Sequence, residues 1–99
     1  MSAYFLFDNL EITEPAQLEA YKAKASELVE KYNGRYAVLG GATEQLEGDW
    51  KPNFPVMIEF PDVAQARAWY FSDEYRKLKA LRQSAGRFNA VLIDRKSVV

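Results

Sequence analysis

The 99-residue sequence contains neither histidine nor cysteine, so any chemistry must come from carboxylates, amines, phenols and guanidinium groups. Without imidazole or thiolate, a zinc, copper or haem site made of side chains is not expected. Neither is a disulfide or a thiolate nucleophile. No metal and no cofactor is therefore expected, and a general base has to be Asp, Glu, Tyr or Lys. The first candidate is Glu59, the one acid in the run Val56-Met57-Ile58-Glu59-Phe60. Alternate residues of a strand face opposite ways, which puts Glu59 on the side of Met57, opposite Ile58 and Phe60. If Ile58 and Phe60 pack on helices, the carboxylate points to the other face of the sheet. Burial there raises its pKa unless a cation pairs with it, and a raised carboxylate suits proton abstraction near neutral pH. The plainer role is a structural ion pair, with Arg82 as a candidate partner.

Arg82 stands one and four residues after the apolar Leu81 and Leu78. Its fork of donors can hold a substrate carboxylate or pair with an acidic neighbour. Trp50 sits in a Gly- and Pro-containing stretch, 47–55, where a large aromatic either plugs the core or covers a cavity mouth. Trp69, Tyr70 and Tyr75 recur at helical spacing and suit a core or an interface, while an aromatic-lined cavity suits a flat or apolar ligand. Glu59 is thus the candidate catalytic residue, and Arg82, Trp50, Trp69, Tyr75 and Met57 are candidate binding residues. Ser72 has no histidine to activate it and reads as a helix cap. Gly40-Gly41 fits neither a P-loop nor a dinucleotide fingerprint and reads as a bend.

The elements that must position these groups follow from period and punctuation. Ala3 to Leu10 reads as a strand. Thr13 is expected as the N-cap of a first helix, with Glu14 and Pro15 in its first turn. Leu18, Tyr21, Ala25, Leu28 and Tyr32 then form an apolar stripe. Lys31 falls in its last turn, and Gly34 is expected at the left-handed position that ends it. Arg35 to Leu39 is a second strand, with a continuation over Ala42 to Leu46 beyond the glycine bend. Val56 to Phe60 is a third, stopped by Pro61. Asp62, with Gln65 three residues on, caps a helix. Ser72-Asp73-Glu74 is a fresh cap, so a break is expected near Ser72. Gly86 ends the last helical segment, Phe88 to Asp94 is the last strand, and 96–99 forms a loosely held tail.

Strand, helix, strand, strand, helix, strand is the order of a ferredoxin-like βαββαβ sandwich, an α+β fold in one domain. Its helices cover one face of an antiparallel sheet, and an uncovered face should be polar. Here both faces are largely apolar: Phe5 and Phe7 oppose Tyr4 and Leu6, Val56, Ile58 and Phe60 oppose Met57 and Glu59, and Phe88, Ala90 and Leu92 oppose Val91 and Ile93. The second face needs a cover, and a second copy is the simplest one, so a homodimer is expected.

Charge excludes other partners. The formal net charge is −1 with no basic block, so nucleic acid and anionic membranes are not expected. An RNA-recognition module with the same element order carries a basic, aromatic third strand, whereas this one carries an acid. No segment approaches the roughly twenty apolar residues of a membrane span. The first residues lack the pattern of a signal peptide, and a cytoplasmic setting is expected.

Gly40-Gly41, Leu46-Glu47-Gly48-Asp49-Trp50, Ile58-Glu59-Phe60-Pro61, Ala68-Trp69-Tyr70-Phe71-Ser72-Asp73-Glu74-Tyr75 and Leu81-Arg82 together resemble the pattern of the DUF1330 family over about Tyr4 to Asp94. The resemblance implies a dimeric α+β-barrel of ferredoxin-like fold. Its wider superfamily includes antibiotic biosynthesis monooxygenases, muconolactone isomerase and dye-decolorising peroxidases. Family members often carry Pro where this chain has Asp73, and either residue suits a first helical turn. The implied function is small-molecule binding, or cofactor-independent catalysis of isomerase or monooxygenase type on a small apolar or aromatic compound. In that case Glu59 is base or orienter and Arg82 an anion anchor. A non-catalytic binding or interaction module is the alternative.

Overall fold

β1 (Ala3–Ile12) is rich in aromatic and aliphatic residues and takes a central place in the sheet, paired antiparallel on both sides. The computed structural model describes residues 2–95; the tail 96–99, expected to be loosely held, lies outside them. After β1 come α1 (Pro15–Lys31), β2 (Arg35–Leu39), β3 (Pro55–Phe60), α2 (Val63–Tyr70), α3 (Asp73–Ser84) and β4 (Gly86–Asp94). The sheet order is β2-β3-β1-β4 and every neighbouring pair is antiparallel. This is the ferredoxin-like α+β arrangement expected from the element order.

The alternation of β1 and β3 sorts their side chains as expected. Phe5 and Phe7 of β1 and Val56, Ile58 and Phe60 of β3 are buried beneath the helices. Trp69 of α2 enters this layer with no exposed surface. Its ring lies 5.2 Å from Phe5, 5.5 Å from Phe60 and 4.3 Å from Tyr75, centre to centre. Aromatic pairs of this kind add about 0.5–1.5 kcal/mol beyond the area they bury. The opposite face carries Tyr4, Leu6, Val38, Met57, Val91 and Ile93, and no helix among the described residues crosses it. On the edge strand β4, Val91 is 53% and Ile93 41% exposed.

Two helix caps form as expected. The Asp62 carboxylate accepts from Gln65 N at 2.8 Å, and the Ser72 hydroxyl accepts from Tyr75 N at 3.0 Å. The helical run breaks between Tyr70 and Asp73. Three expectations need correction. Thr13 is not the cap of α1: Glu14 holds that position with no side-chain bond, and Thr13 gives its N–H and hydroxyl to the Ala85 carbonyl at 2.8 and 3.2 Å. A long-range acceptor therefore takes the group that a local cap would have used. The left-handed residue after α1 is Asn33, with φ 66°, rather than Gly34. Asn tolerates that conformation, and Gly34 is there for space, since a Cβ would stand 2.6 Å from the Phe60 ring. Finally, Ala42 to Leu46 is not a strand. Gly40 and Gly41, at φ 75° and 114°, turn the chain away from the sheet, and the stretch that follows is exposed up to Lys51.

Candidate functional site

Glu59 faces the uncovered side of the sheet, as strand parity predicts. The register places Arg35 of β2 and Tyr4 of β1 beside it on either hand. Arg35 Nη2 lies 2.5 Å from Glu59 Oε1. Ser2 Oγ and Tyr4 Oη donate to Oε2 at 2.9 and 3.3 Å. The hydrogen bond from Ser2, then the Arg35 guanidinium and the Tyr4 hydroxyl, hold this carboxyl below its ordinary range against a smaller opposing effect of desolvation. Its partner is therefore Arg35, not Arg82. The cation that was the condition against a raised pKa is present, so the carboxylate is ionised and its acceptor positions are engaged. Met57 lies on the same face, one register step along, beside Leu6 and Val38.

Arg82 lies on the other side of the sheet. α2 packs on β1 and β3, α3 on β4, and α1 chiefly on α3. This leaves a gap of about 260 Å³ between α1 and the β2–β3 side of the sheet. Val56 and Ile58 of β3, Phe7 of β1 and Tyr36 of β2 form its sheet wall, and Leu18 and Tyr21 its helix wall. Phe54 and, from α3, Arg82 complete its lining. Exposed residues Lys22, Ser26 and Leu39 stand at its rim. Phe54 is fixed from below by Asp8, a buried carboxylate that accepts from Phe54 N at 2.8 Å and Asn53 N at 3.0 Å. Asn9 N also donates to the Phe54 carbonyl at 3.1 Å.

At the inner end, Tyr21 and Tyr75 share a buried hydrogen bond of 2.7 Å between their hydroxyls. Burial raises the pKa of both phenols, that of Tyr21 well above the ordinary value, and the Arg82 guanidinium pulls Tyr75 partly back. Tyr36 is pushed up to about 12 by burial and by Tyr75. All three are therefore neutral hydroxyls at physiological pH, able to donate hydrogen bonds but reluctant to ionise. Arg82 itself is only 5% exposed. Its guanidinium carbon lies 5.1 Å from the ring centres of both Phe7 and Phe88.

The other candidate binding residues stand apart from this cavity. Trp69 is in the core, and Tyr75 is buried behind Tyr21. Trp50 is 68% exposed on the 40–54 loop, near Leu46 and Pro52. Tyr21, Tyr36, Phe54 and Asp8 were not singled out from the sequence. The stripe of α1 did include Tyr21, but as core, and a stripe does not show where packing leaves space. Among the described residues, no group of three or more acidic side chains is placed to hold a metal ion. No described helix is long and apolar enough to cross a membrane.

A family model described as "Domain of unknown function (DUF1330)" matches residues 2–95. No curated protein matches the sequence. Among solved structures, a protein of unknown function from Rhodopseudomonas palustris is similar with a TM-score of 0.75 at 16% identity, covering 97% of this chain and 83% of that one. SnoaB, a cofactor-independent oxygenase from Streptomyces nogalater, is similar with a TM-score of 0.55 at 14% identity, covering 99% of this chain and 94% of that one. A putative antibiotic biosynthesis monooxygenase from Bacteroides thetaiotaomicron gives 0.54 at 20% identity, covering 99% and 90%. At such identities the likeness is one of fold.

Proposed function

Since the chain belongs to the DUF1330 family, whose description assigns no activity, we propose from the site itself that the protein is a small-molecule-binding homodimer. Its ligand is a small apolar or aromatic compound held between α1 and the sheet. The observation that carries this reading is the cavity of about 260 Å³ with walls of Phe7, Leu18, Phe54, Val56 and Ile58. An apolar hole of about 150 Å³ already accommodates benzene, so a substituted single ring fits. Pockets of this kind, mostly apolar with a few convergent polar groups, are the usual form of a ligand site. Support for the dimer comes from the uncovered face, where Leu6, Met57, Val38, Val91 and Ile93 make a continuous apolar strip across four strands. Monomers rarely leave such a strip in water. On this reading the Arg35–Glu59 pair lies at the interface and helps set the register of the two sheets.

A catalytic form of the proposal, an isomerase or monooxygenase working without a cofactor, draws on the fold likeness to the oxygenase from Streptomyces nogalater. In this form the Tyr21 hydroxyl is the group placed to hydrogen-bond the ligand and stabilise negative charge that develops on it. The non-catalytic alternative keeps the same binding and lacks turnover.

Native mass spectrometry of protein purified without added ligand tests the proposal. The expected result is a dimer, carrying a discrete small-molecule mass that Phe54→Trp, which enlarges a side chain lining the cavity, displaces. A monomer would remove the dimer, and an adduct unaffected by Phe54→Trp would move the binding site elsewhere.

A further inference from the structure

Arg82 is buried, yet none of the described residues supplies it with a counter-charge. Each of the five ion pairs of the described residues involves another cation. Its Nε is buried with no hydrogen-bond partner. Arginine does not lose its proton inside proteins, so the charge persists in an apolar setting. The flanking rings of Phe7 and Phe88 offset part of the desolvation through cation–π attraction. They offer no acceptor for the guanidinium N–H groups. The cavity contains no Asp or Glu, and the second cation near it, Lys22, stands at the rim. A hydrophobic hole with one buried guanidinium, neighbouring neutral phenols and no acid is complementary to a negative ligand. The fork of an arginine matches the two oxygens of a carboxylate in shape.

We infer that the cavity beneath α1 takes a small aromatic or planar unsaturated anion, with its oxyanion held by Arg82 and its ring between Phe54 and Ile58. The inference rests on the cavity being the ligand site and adds the chemical class of the ligand. The Tyr21 hydroxyl, already bonded to Tyr75, is the second polar contact available to that oxyanion. Tyr75 then stands behind Tyr21 and Arg82 as a positioning residue that does not itself reach the ligand.

The test compares benzoate with benzamide, near-isosteres that differ in charge, by calorimetry on the full chain and its Arg82→Met variant. The wild-type protein is expected to bind benzoate at least about tenfold more tightly than benzamide, about 1.4 kcal/mol, and Arg82→Met is expected to remove the difference while retaining benzamide. Benzamide bound as tightly as benzoate would overturn the anion class and leave the cavity standing as a ligand site. Binding of neither probe would overturn the cavity reading, and the inference with it. A nitrophenol that ionises near neutral pH provides a measurement free of folding effects in the variant. Bound to wild-type protein, it should ionise at lower pH than in water, seen as more of the yellow phenolate. A shift to higher pH is the mark of a merely apolar hole and would overturn the inference.

Discussion

Removing the hydroxyl of Tyr21 or Tyr75, and then both, probes the inner end of the cavity. The two oxygens are 2.7 Å apart and buried. A hydrogen bond contributes about 0.5–1.5 kcal/mol net, whereas stranding a buried partner costs about 1–3 kcal/mol. The two single changes differ because only Tyr21 lines the cavity. In Tyr75→Phe, the Tyr21 hydroxyl can turn to water in the cavity, and a loss of about 1 kcal/mol is expected. In Tyr21→Phe, the Tyr75 hydroxyl, whose residue has 0% exposure, loses the hydroxyl it is bonded to and has no cavity water to turn to, so a loss of about 2 kcal/mol is expected. The double variant strands neither group and should lose about 1 kcal/mol less than the sum. In a domain of this size each kilocalorie corresponds to about 4–8 °C in Tm. Urea denaturation of the four proteins at equal concentration and near neutral pH, where the phenols are un-ionised, gives the cycle directly. Additivity within about 0.3 kcal/mol, or a larger loss in Tyr75→Phe than in Tyr21→Phe, would refute the reasoning.

Two further outcomes follow from the sheet. The Glu59 carboxyl is held below its ordinary range, so the unfolded chain takes up that proton more readily than the folded one. The stabilisation is complete above the unfolded value near about pH 4.3 and is lost as the pH falls through the lower folded value. Glu59→Gln should therefore lower Tm at neutral pH, with the gap to wild type narrowing on acidification below about pH 4; a gap that stays constant would show that the carboxylate charge is not what stabilises. At Gly86, an added Cβ would stand 1.9 Å from the Glu11 carbonyl oxygen, beside the register shift between Asn9 and Glu11. Gly86→Ala should cost about 3 kcal/mol or more, the upper end for an overpacked site, and a urea midpoint equal to wild type would contradict the close approach.

The two-faced character of the sheet was legible because strand parity is local: Phe5 and Phe7 separate from Tyr4 and Leu6 whatever the neighbouring strands are. The same holds for the caps at Asp62 and Ser72, where a side chain serves an N–H three residues on. The cap expected at Thr13 was overridden by the Ala85 carbonyl, a group 72 residues away. Glu59 was placed on the correct face by parity. Its partner was not legible, because Arg35 reaches it only through the pairing of β2 with β3. Arg82 belongs to the opposite side of the sheet for a similar reason. Leu81 and Arg82 are adjacent in sequence, yet only the docking of α3 decides which acid, ring or cavity the guanidinium meets.

Composition, period and capping thus determined most of the elements, which faces are apolar, and that this sequence supplies no imidazole or thiol of its own. The cavity depended on how α1 rests against α3, which leaves space over β2 and β3. Sequence spacing records the direction in which a side chain leaves its own element. A void, a cross-strand ion pair and an uncompensated buried charge depend on distances between segments far apart in the chain, and these exist only once the elements have packed.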